Sequence, residues 1–402
     1  MGTKVEVGFT LTVGDTPYFR VGNATKGKLN NTSYRVAGPI WIDVSDKVSD
    51  VSIKRGKNRE LDRYSAANAS VSLHNEDRRF DPLNTASPYV GNIIPRRAIR
   101  VTTNGYVQFT GVIEDWNLEY SVEGKSTAII SAADSFTLMA QQTLTPGTAT
   151  QQTTGERINA VLSQPTVAWP LVDRNIDTGN NVVGADVMSG NVLSYLQDVE
   201  ASEQGQLFMT KDGKVRFING AVTVTSSLSS VLFADDGTGV PYIDAAVSYG
   251  TELLYNQVTA TSPAGTATTN NTVSQGKYGI TQASVNTLLA LYSATEALSQ
   301  YWVNKYGEPE YRFQNLTINL NALSGAQQTS VLGLELGDII QIKFTPNKVG
   351  DPIQRYGQII TIDHKIGPDR HDITYGVGSL QYSFLVFDDT GFGILDVNAL
   401  AF

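Results

Sequence analysis

The chain has 402 residues, too many for one ordinary hydrophobic core, so about two to four compact units are expected. A formal net charge of −9 with only 17% charged residues excludes grasping nucleic acid through a basic surface. The absence of cysteine excludes disulfides and thiolate metal sites.

The amino terminus has no basic stretch followed by an apolar run. Nothing reaches the ~18 uninterrupted apolar residues of a membrane span, so a soluble protein made in a cytoplasm is expected. Residues 1–47 read as an amino-terminal arm, in which alternating Val5, Val7 and Phe9 precede a glycine- and asparagine-rich stretch. Phe19-x-Val21, Gly27 and Leu29-Asn30 recur near the end as Phe384-x-Val386, Gly393 and Leu395-Asp396. Residues 381–402 therefore read as a matching carboxy-terminal arm, and both arms are expected to lie along neighbouring subunits.

Residues 48–145 read as a first β-barrel or sandwich. Val51 and Ile53, then Ala69, Val71 and Leu73, repeat with period two and bury one face of each strand, while Ser70, Ser72 and His74 take the other. Between these strands lie Arg55, Lys57, Arg59, Glu60, Asp62 and Arg63, and beyond them Glu76, Asp77, Arg78 and Arg79. A mixed-sign run of this kind is either a solvated loop or a surface that meets an oppositely patterned neighbour. Asn104-Gly105 between Val101–Thr103 and Tyr106–Phe109 is a hairpin signal, because both residues tolerate positive φ. A second pair, Val112–Tyr120 and Ser126–Ala132, turns at Glu123-Gly124-Lys125, with Trp116 in the core or on the sheet face.

Residues 146–220 read as an inserted α+β unit. It holds a short helix at Arg157–Leu162, a longer one at Asn191–Glu203 capped by Ser189, and a hairpin turning at Lys211–Lys214. Residues 221–307 add strands at Val222-x-Val224, Val231–Phe233, Ala245–Tyr249 and Gln257–Ala260, an exposed loop at Thr261–Gln275, and a long helix over about Ser284–Lys305. Residues 308–380 form a second β-barrel. Its inward sets are Leu316, Ile318 and Leu320; Ile340, Ile342 and Phe344; Ile360, Ile362, His364 and Ile366; and Ile373, Tyr375 and Val377. The fold class expected is mainly β with α+β insertions: two tube-like barrel or sandwich domains plus smaller α+β domains.

Catalytic chemistry finds few candidates. The three histidines are His74, His364 and His371, and His364 on an apolar strand face reads as a core imidazole. Asp363, Asp369, His371 and Asp372 flank it without any known ligand spacing. Asp177-Thr178-Gly179 and Asp389-Thr390-Gly391 match the tripeptide with which aspartic proteases pair two carboxyls. Asn180 and Phe392 stand where a hydroxyl residue is needed, however, so each reads as a turn. Asp235-Asp236-Gly237 and Asp388-Asp389 lack the alternating ligands of a calcium loop. No enzyme activity, cofactor or metal is expected.

Arg55-Gly56, Leu61-Asp62, the strand Ala69–Leu73, and then Asn75, Asp77, Phe80, Asp81 and Pro82 resemble the opening domain of minor tail proteins of long-tailed bacteriophages, the baseplate or tail-tip hub family. Phe109-Thr110-Gly111, Asp115-Trp116, Ala132-Ala133-Asp134, Phe136 and Leu138 extend the resemblance. So do Leu193–Leu196, Glu203, Gly205, Asp212-Gly213, Leu336-Gly337-Asp338 and the closing stretch Phe384–Leu395. The resemblance implies a structural virion protein of the tail tip, assembled in the host cytoplasm. Three copies would supply six barrel-like units to match a six-fold tail tube. Implied partners are a distal tail or tail tube protein, the tape measure protein, and a tail fibre or other minor tail protein, while genomic DNA passes through without specific binding. Placed on this sequence, the expected interface residues are Arg55, Lys57, Arg59, Arg63, Glu76, Asp77, Arg78 and Arg79, with Phe19 and Phe384 on the clasping arms. The alternative is a β-rich glycan- or receptor-binding tail protein.

Overall fold

The computed structural model describes residues 2–9, 39–220 and 231–379. Its contacts divide the chain into two compact units, each discontinuous in sequence. The first comprises residues 1–53, 68–134 and 365–369, the second residues 54–67, 135–364 and 370–402. The fold is mainly β, with several sheets and few helices, as expected.

In the first unit the strands are β1 (Thr3–Phe9), β2 (Ile40–Asp43), β3 (Val48–Gly56, residues 48–53 belonging here), β4 (Asn68–His74), β5 (Ala98–Thr103), β6 (Tyr106–Tyr120) and β7 (Ser126–Ala133). They follow the order β3-β4-β7-β6-β5-β1-β2. The alternation read in the sequence holds: Val51, Ile53, Ala69, Val71 and Leu73 are buried, while the intervening residues of β4 face outward. Asn104 and Gly105 turn the β5–β6 hairpin with φ of 50° and 85°, the pair of left-handed residues that matches strand twist. β6 runs on as one 15-residue strand with a bulge between Ile113 and Asp115. The segments 3–9 and 40–43, expected in an arm, are strands of this sheet: Val5, Val7 and Phe9 are all buried, and β1 pairs with both β2 and β5. An alternating apolar segment cannot stay in an arm when a sheet edge offers it both ladder bonds and cover.

The connection from β4 to β5 is a staircase of turns. Backbone N–H groups of Arg78, Asp81, Asn84, Ser87 and Val90 each donate to the carbonyl three residues earlier. Side-chain acceptors fix the steps, Asn75 receiving Phe80 N at 3.0 Å, Asp81 receiving Leu83 N at 2.8 Å, and Ser87 receiving Tyr89 N at 3.0 Å. Phe80 is buried, with its ring 5.6 Å from Tyr89 and 6.1 Å from Trp116.

The second unit begins with α1 (Phe136–Met139), the short strands β8 (Gly147–Ala149) and β9 (Gln152–Thr153), and α2 (Thr154–Leu162). It continues through β10 (Arg174–Ile176), β11 (Val182–Val183), β12 (Asp186–Met188), α3 (Val192–Ala201), β13 (Gln206–Met209), β14 (Val215–Ile218), β15 (Val231–Ala234) and β16 (Asp244–Tyr249). A capping box between Thr153 and Glu156 starts α2. Asn191, rather than Ser189, caps α3 by accepting Ser194 N at 3.0 Å. Helix and sheet are joined by buried Arg157, which donates to Gln152 and the Tyr195 hydroxyl at 2.7 Å, Thr150 O at 2.9 Å and Gly184 O at 2.7 Å. With its donors met by neutral acceptors, the guanidinium is tolerated inside.

Beyond Tyr249 come β17 (Gln257–Ser262), β18 (Gly265–Asn270), α4 (Thr272–Tyr278), β19 (Gln282–Asn286), α5 (Tyr292–Tyr306), β20 (Tyr311–Asn319), α6 (Gly325–Gly333), β21 (Ile339–Phe344), β22 (Ile353–Ile366) and β23 (His371–Ser379). The main strands of this unit follow β16-β20-β23-β22, with β21 on β22 and β15 parallel to β21. Leu316, Ile318, Ile340, Ile342, Ile362, Ile373 and Tyr375 are buried as expected, in a core shared with Phe136, Ile158, Leu196 and Phe217.

Two expectations fail here. Thr261–Gln275 is not a loop but the end of β17, β18 and most of α4. Thr266 and Thr268 face outward while Val258, Ala260 and Ala267 face in, and Thr269, on the inner side, bonds to Ser299 of α5 at 2.7 Å, a contrast in polarity too small to register as alternation. Nor does a helix start at Ser284, because Gln282–Asn286 pairs in parallel with β17 and the helix begins only after Leu291. Leu289 is buried with Ala260 and Leu298 beneath the small sheet, a position outside the helix. Val222-x-Val224 and the carboxy-terminal arm lie outside the described residues.

Candidate functional site

The charged run divides between the two units: Arg55, Lys57, Arg59 and Arg63 belong to the second, Glu76, Asp77, Arg78 and Arg79 to the first. Arg55 is buried. It continues the inward parity of Val51 and Ile53 along β3, a signal available in the sequence. Its guanidinium donates to Met209 O at 3.0 Å and to Glu335 at 2.6 Å. Glu335 also receives Lys211 N at 2.9 Å, while the Lys211 ammonium donates to the carbonyls of Leu332, Gly333 and Leu334 that end α6. Arg55 is thus occupied inside the second unit. Arg59 is exposed, 3.8 Å from an equally exposed Glu252, and Arg63 meets exposed Asp198 at 2.7 Å.

In the first unit the charges compensate one another locally. Arg78 holds Asp81 at 2.5 Å, Arg79 holds Asp77 at 2.7 Å, and Glu76 lies 3.6 Å from His74. The Arg78 guanidinium and the Leu83 N–H keep the Asp81 carboxyl below its ordinary range. Phe19 and Phe384 lie outside the described residues.

The connection Lys57–Arg63 also borders a cavity of about 390 Å³ inside the second unit, which the sequence did not announce. α3, β19, α5, the middle of β22 and the end of β23 complete its walls. Glu60 anchors the connection there, pairing with Lys305 at 2.5 Å and accepting from the Tyr306 hydroxyl at 3.0 Å and from Ser379 N at 3.1 Å. Burial works to raise the Glu60 pKa, but the Lys305 ammonium and the Ser379 donors outweigh it and keep the carboxylate ionised. Glu200 on α3 behaves oppositely: burial pushes it up to about 7, against partial relief from Lys57 and the Leu207 N–H. The Lys57 ammonium lies 4.9 Å from the Tyr64 ring centre, and burial lowers its proton affinity. Two carboxyls driven apart in this way hold one anion and one latent acid in a single cavity.

The other candidates resolve into structural roles. His364 and His371 share a hydrogen bond across the β22–β23 hairpin, His364 Nδ1 and His371 Nε2 2.9 Å apart with the rings tilted by 53°, and both are buried. Burial depresses both, His371 to about 4, with Asp372 partly offsetting the effect. Among the described residues no group of three or more His, Cys, Asp or Glu is placed to hold a metal ion. Asp177 pairs with Arg216 at 2.6 Å and receives Asn219 N at 3.2 Å, while Asp389 lies outside the described residues. Asp236 pairs with Lys343 at 2.7 Å in a turn closed by Gly237. Among the described residues no helix is long and apolar enough to cross a membrane.

No protein-family model matches the chain, and no curated protein matches it in sequence. Solved structures do match in fold. A tail protein from Neisseria meningitidis MC58 aligns over 94% of this chain and 97% of that one, with a TM-score of 0.62 at 11% identity. The 43 kDa tail protein of prophage MuSo2 from Shewanella oneidensis aligns over 85% and 94%, with a TM-score of 0.56 at 12% identity. A chain of the lidded Francisella PdpA–VgrG complex aligns over 94% of this chain but 52% of its own length, with a TM-score of 0.50 at 8% identity. The resemblance noted in the sequence therefore has a counterpart in three dimensions: this chain has a fold that phage tail proteins possess.

Proposed function

We propose that the protein is a structural component of a phage tail tip, a homotrimeric hub that joins the tail tube or distal tail protein to fibres. The observation that carries this reading is the alignment with a tail protein over nearly the whole of both chains. A hub works by assembly: symmetric copies close a ring through repeated contacts, and no turnover is required. The ring encloses the end of the tape measure protein and later passes DNA, which a net charge of −9 leaves ungripped. In this reading the exposed Arg59, Arg63 and Glu76 face neighbouring chains, Arg55 and Lys57 brace the connection from within, and the stretches around Phe19 and Phe384 contact adjacent subunits.

The mass of the purified protein, alone and mixed with the adjacent tail protein, tests the proposal. A defined trimer, free or in the complex, is the expected result; a monomer under both conditions defeats it. Charge reversal at Arg59 and Arg63 together is expected to weaken ring assembly without lowering the melting temperature, and an unchanged assembly removes these residues from the interface.

A further inference from the structure

Past its bulge, β6 leaves one side of its backbone without a partner. β5 pairs with β6 only as far as Val112, and the last bonds on that side run between Ile113 and the residues just before β5, Arg96 N to Ile113 O and Ile113 N to Arg97 O, each at 2.7 Å. From Asp115 to Tyr120 the strand is paired with β7 alone. An antiparallel ladder alternates bonded and open positions. At the hairpin end Ser121 N donates to Lys125 O at 2.8 Å, so Glu119, Asn117 and Asp115 bond to β7, and the N–H and C=O groups of Tyr120, Leu118 and Trp116 point the other way. None of these outward groups has a backbone partner among the described residues.

The side chains of the same three residues form an apolar row. Trp116 and Leu118 are half-buried, Tyr120 is 53% exposed, and Val122, wholly exposed, continues the parity. Trp116 is held by Phe80, their rings 6.1 Å apart and stacked, and by the bond from its Nε1 to Ile94 O at 3.2 Å. The opposite face carries Asp115, Asn117 and Glu119, all exposed, and neither carboxylate joins an ion pair among the described residues. Open strand edges are normally blunted. β2, an outer strand of the first unit, has only four residues, and β16, an outer strand of the second, is broken by a bulge between Ala246 and Val247. Residues 115–120 contain no proline, lysine or arginine and leave about 20 Å of regular edge at about 3.4 Å per residue.

We propose that residues 115–120 of β6 are a docking edge for an extended segment of another protein, which adds a strand to the first unit and alternates apolar residues with lysine or arginine. Backbone bonds to Trp116, Leu118 and Tyr120 attach it, apolar side chains of one parity cover the row, and basic side chains of the other lie across from Asp115 and Glu119. The same charges select against a second copy of this chain: paired antiparallel about Asn117, two copies would set Asp115 directly against Glu119 twice. The edge lies wholly within the first unit, and its use does not depend on the tail-tip reading.

A fluorescent, end-blocked peptide of about nine residues alternating valine and lysine, titrated into the full chain and followed by anisotropy, tests the edge. It is expected to bind, and the same peptide with glutamate for lysine is expected not to. Asp115→Asn combined with Glu119→Gln is expected to weaken the lysine peptide about fivefold, the loss of two cross-strand charge pairs. Only alternate N–H groups of an added strand face its neighbour, so methylating every valine nitrogen and methylating every lysine nitrogen should have unequal effects, one abolishing binding and the other sparing it. A peptide held only by the net charge of −9 would ignore both the methylation pattern and the substitutions. In the dilute free protein the amides of Leu118 and Tyr120 should exchange hydrogen at least about tenfold faster than those of Asn117 and Glu119, and the lysine peptide should slow them.

No binding, equal binding of the glutamate peptide, equal effects of the two methylations, undiminished binding by the folded double variant, or Leu118 and Tyr120 amides already protected in the dilute protein each overturns the proposal. Protection of those two amides that grows with protein concentration alone assigns the edge to a second copy and overturns it as well. Should the double variant fail to fold, the peptide comparisons and the exchange measurement still decide the matter.

Discussion

Acidifying the protein protonates histidine in the unfolded chain before it does so in the buried pair of the folded one. His371 falls from an ordinary value of 6.5 to about 4 because burial penalises the imidazolium, and Asp372 restores only part of this. His364 is depressed still more by burial, with His371, Arg55 and Lys211 adding repulsion. A group whose folded pKa is lowered contributes fully above its unfolded value and loses that contribution as pH falls toward the folded one. For His371 the window runs from 6.5 down to about 4, and the loss is about 3 kcal/mol at about 1.4 kcal/mol per tenfold change in proton affinity. Glu200 acts in the opposite sense over nearly the same window: raised from 4.5 to about 7, it stabilises at low pH and loses about 3 kcal/mol as pH rises. The wild-type profile is therefore flattened between these limits, and the separate contributions emerge only by difference.

Urea unfolding across this window, with His371→Asn compared with wild type at each pH, reads the titration of His371 together with the repulsion it exerts on His364. The packing cost of the substitution is independent of pH and cancels in the slope. The variant is expected to gain about 3 kcal/mol on wild type between about pH 7 and about pH 4.5, and Glu200→Gln to lose a similar amount over the same interval. A difference between His371→Asn and wild type that stays constant with pH would refute the reasoning, since it would mean that the imidazole is equally basic folded and unfolded.

Arg55→Met leaves Glu335 and Lys211 in a damaged network and is expected to cost about 3 kcal/mol in urea unfolding, whereas Arg63→Met at an exposed pair should stay within about 0.5 kcal/mol. Gly56→Ala would drive a Cβ to 2.2 Å from Ile360 O at a φ of 113°, and a loss above about 3 kcal/mol, read as a collapse of melting temperature, is expected. Gly105→Ala, also left-handed at φ 85° but with nothing within 4 Å, should cost only about 1 kcal/mol in the same melt. Asn75→Ala removes the acceptor for Phe80 N at the first step of the staircase; about 1–2 kcal/mol and faster proteolysis within residues 76–97 are expected.

The parts of the fold legible in the sequence are those whose signal is local and high in contrast. Asn104-Gly105 announces its hairpin because few other pairs accept two left-handed residues, and Ile318, Ile340, Ile362 and Ile373 announce strands because isoleucine against lysine or threonine is a strong alternation. Of the small sheet only the strand at Gln257–Ala260 was legible; β18 and β19 were not, for the converse reason: alanine inside and threonine outside differ little, and β19 is held by a parallel partner 25 positions earlier. At the site, Arg55 and Arg59 share one charged run yet part company, because Arg55 keeps the inward parity of β3 and Arg59 lies beyond the strand end. The cavity had no local signature, since its walls come from connection, helix and strand segments spread from Lys57 to Ser379. The Leu-x-Asn-x-Asp-x-x-Phe-Asp-Pro stretch was conspicuous as a pattern. Its physical content, side chains acting as acceptors for successive turns, required coordinates.

The polypeptide passes between the two units at residues 53/54, 67/68, 134/135, 364/365 and 369/370. A ribosome must therefore have emitted residue 369 of 402 before the first unit owns all its parts. Such interleaving raises contact order and delays closure of the first unit until residue 369 has been made, which lengthens the time a nascent chain exposes unpaired strands to its neighbours. Stalled chains cut between 134 and 364 should consequently be captured by chaperones, and neither unit should be obtainable as a simple excised fragment.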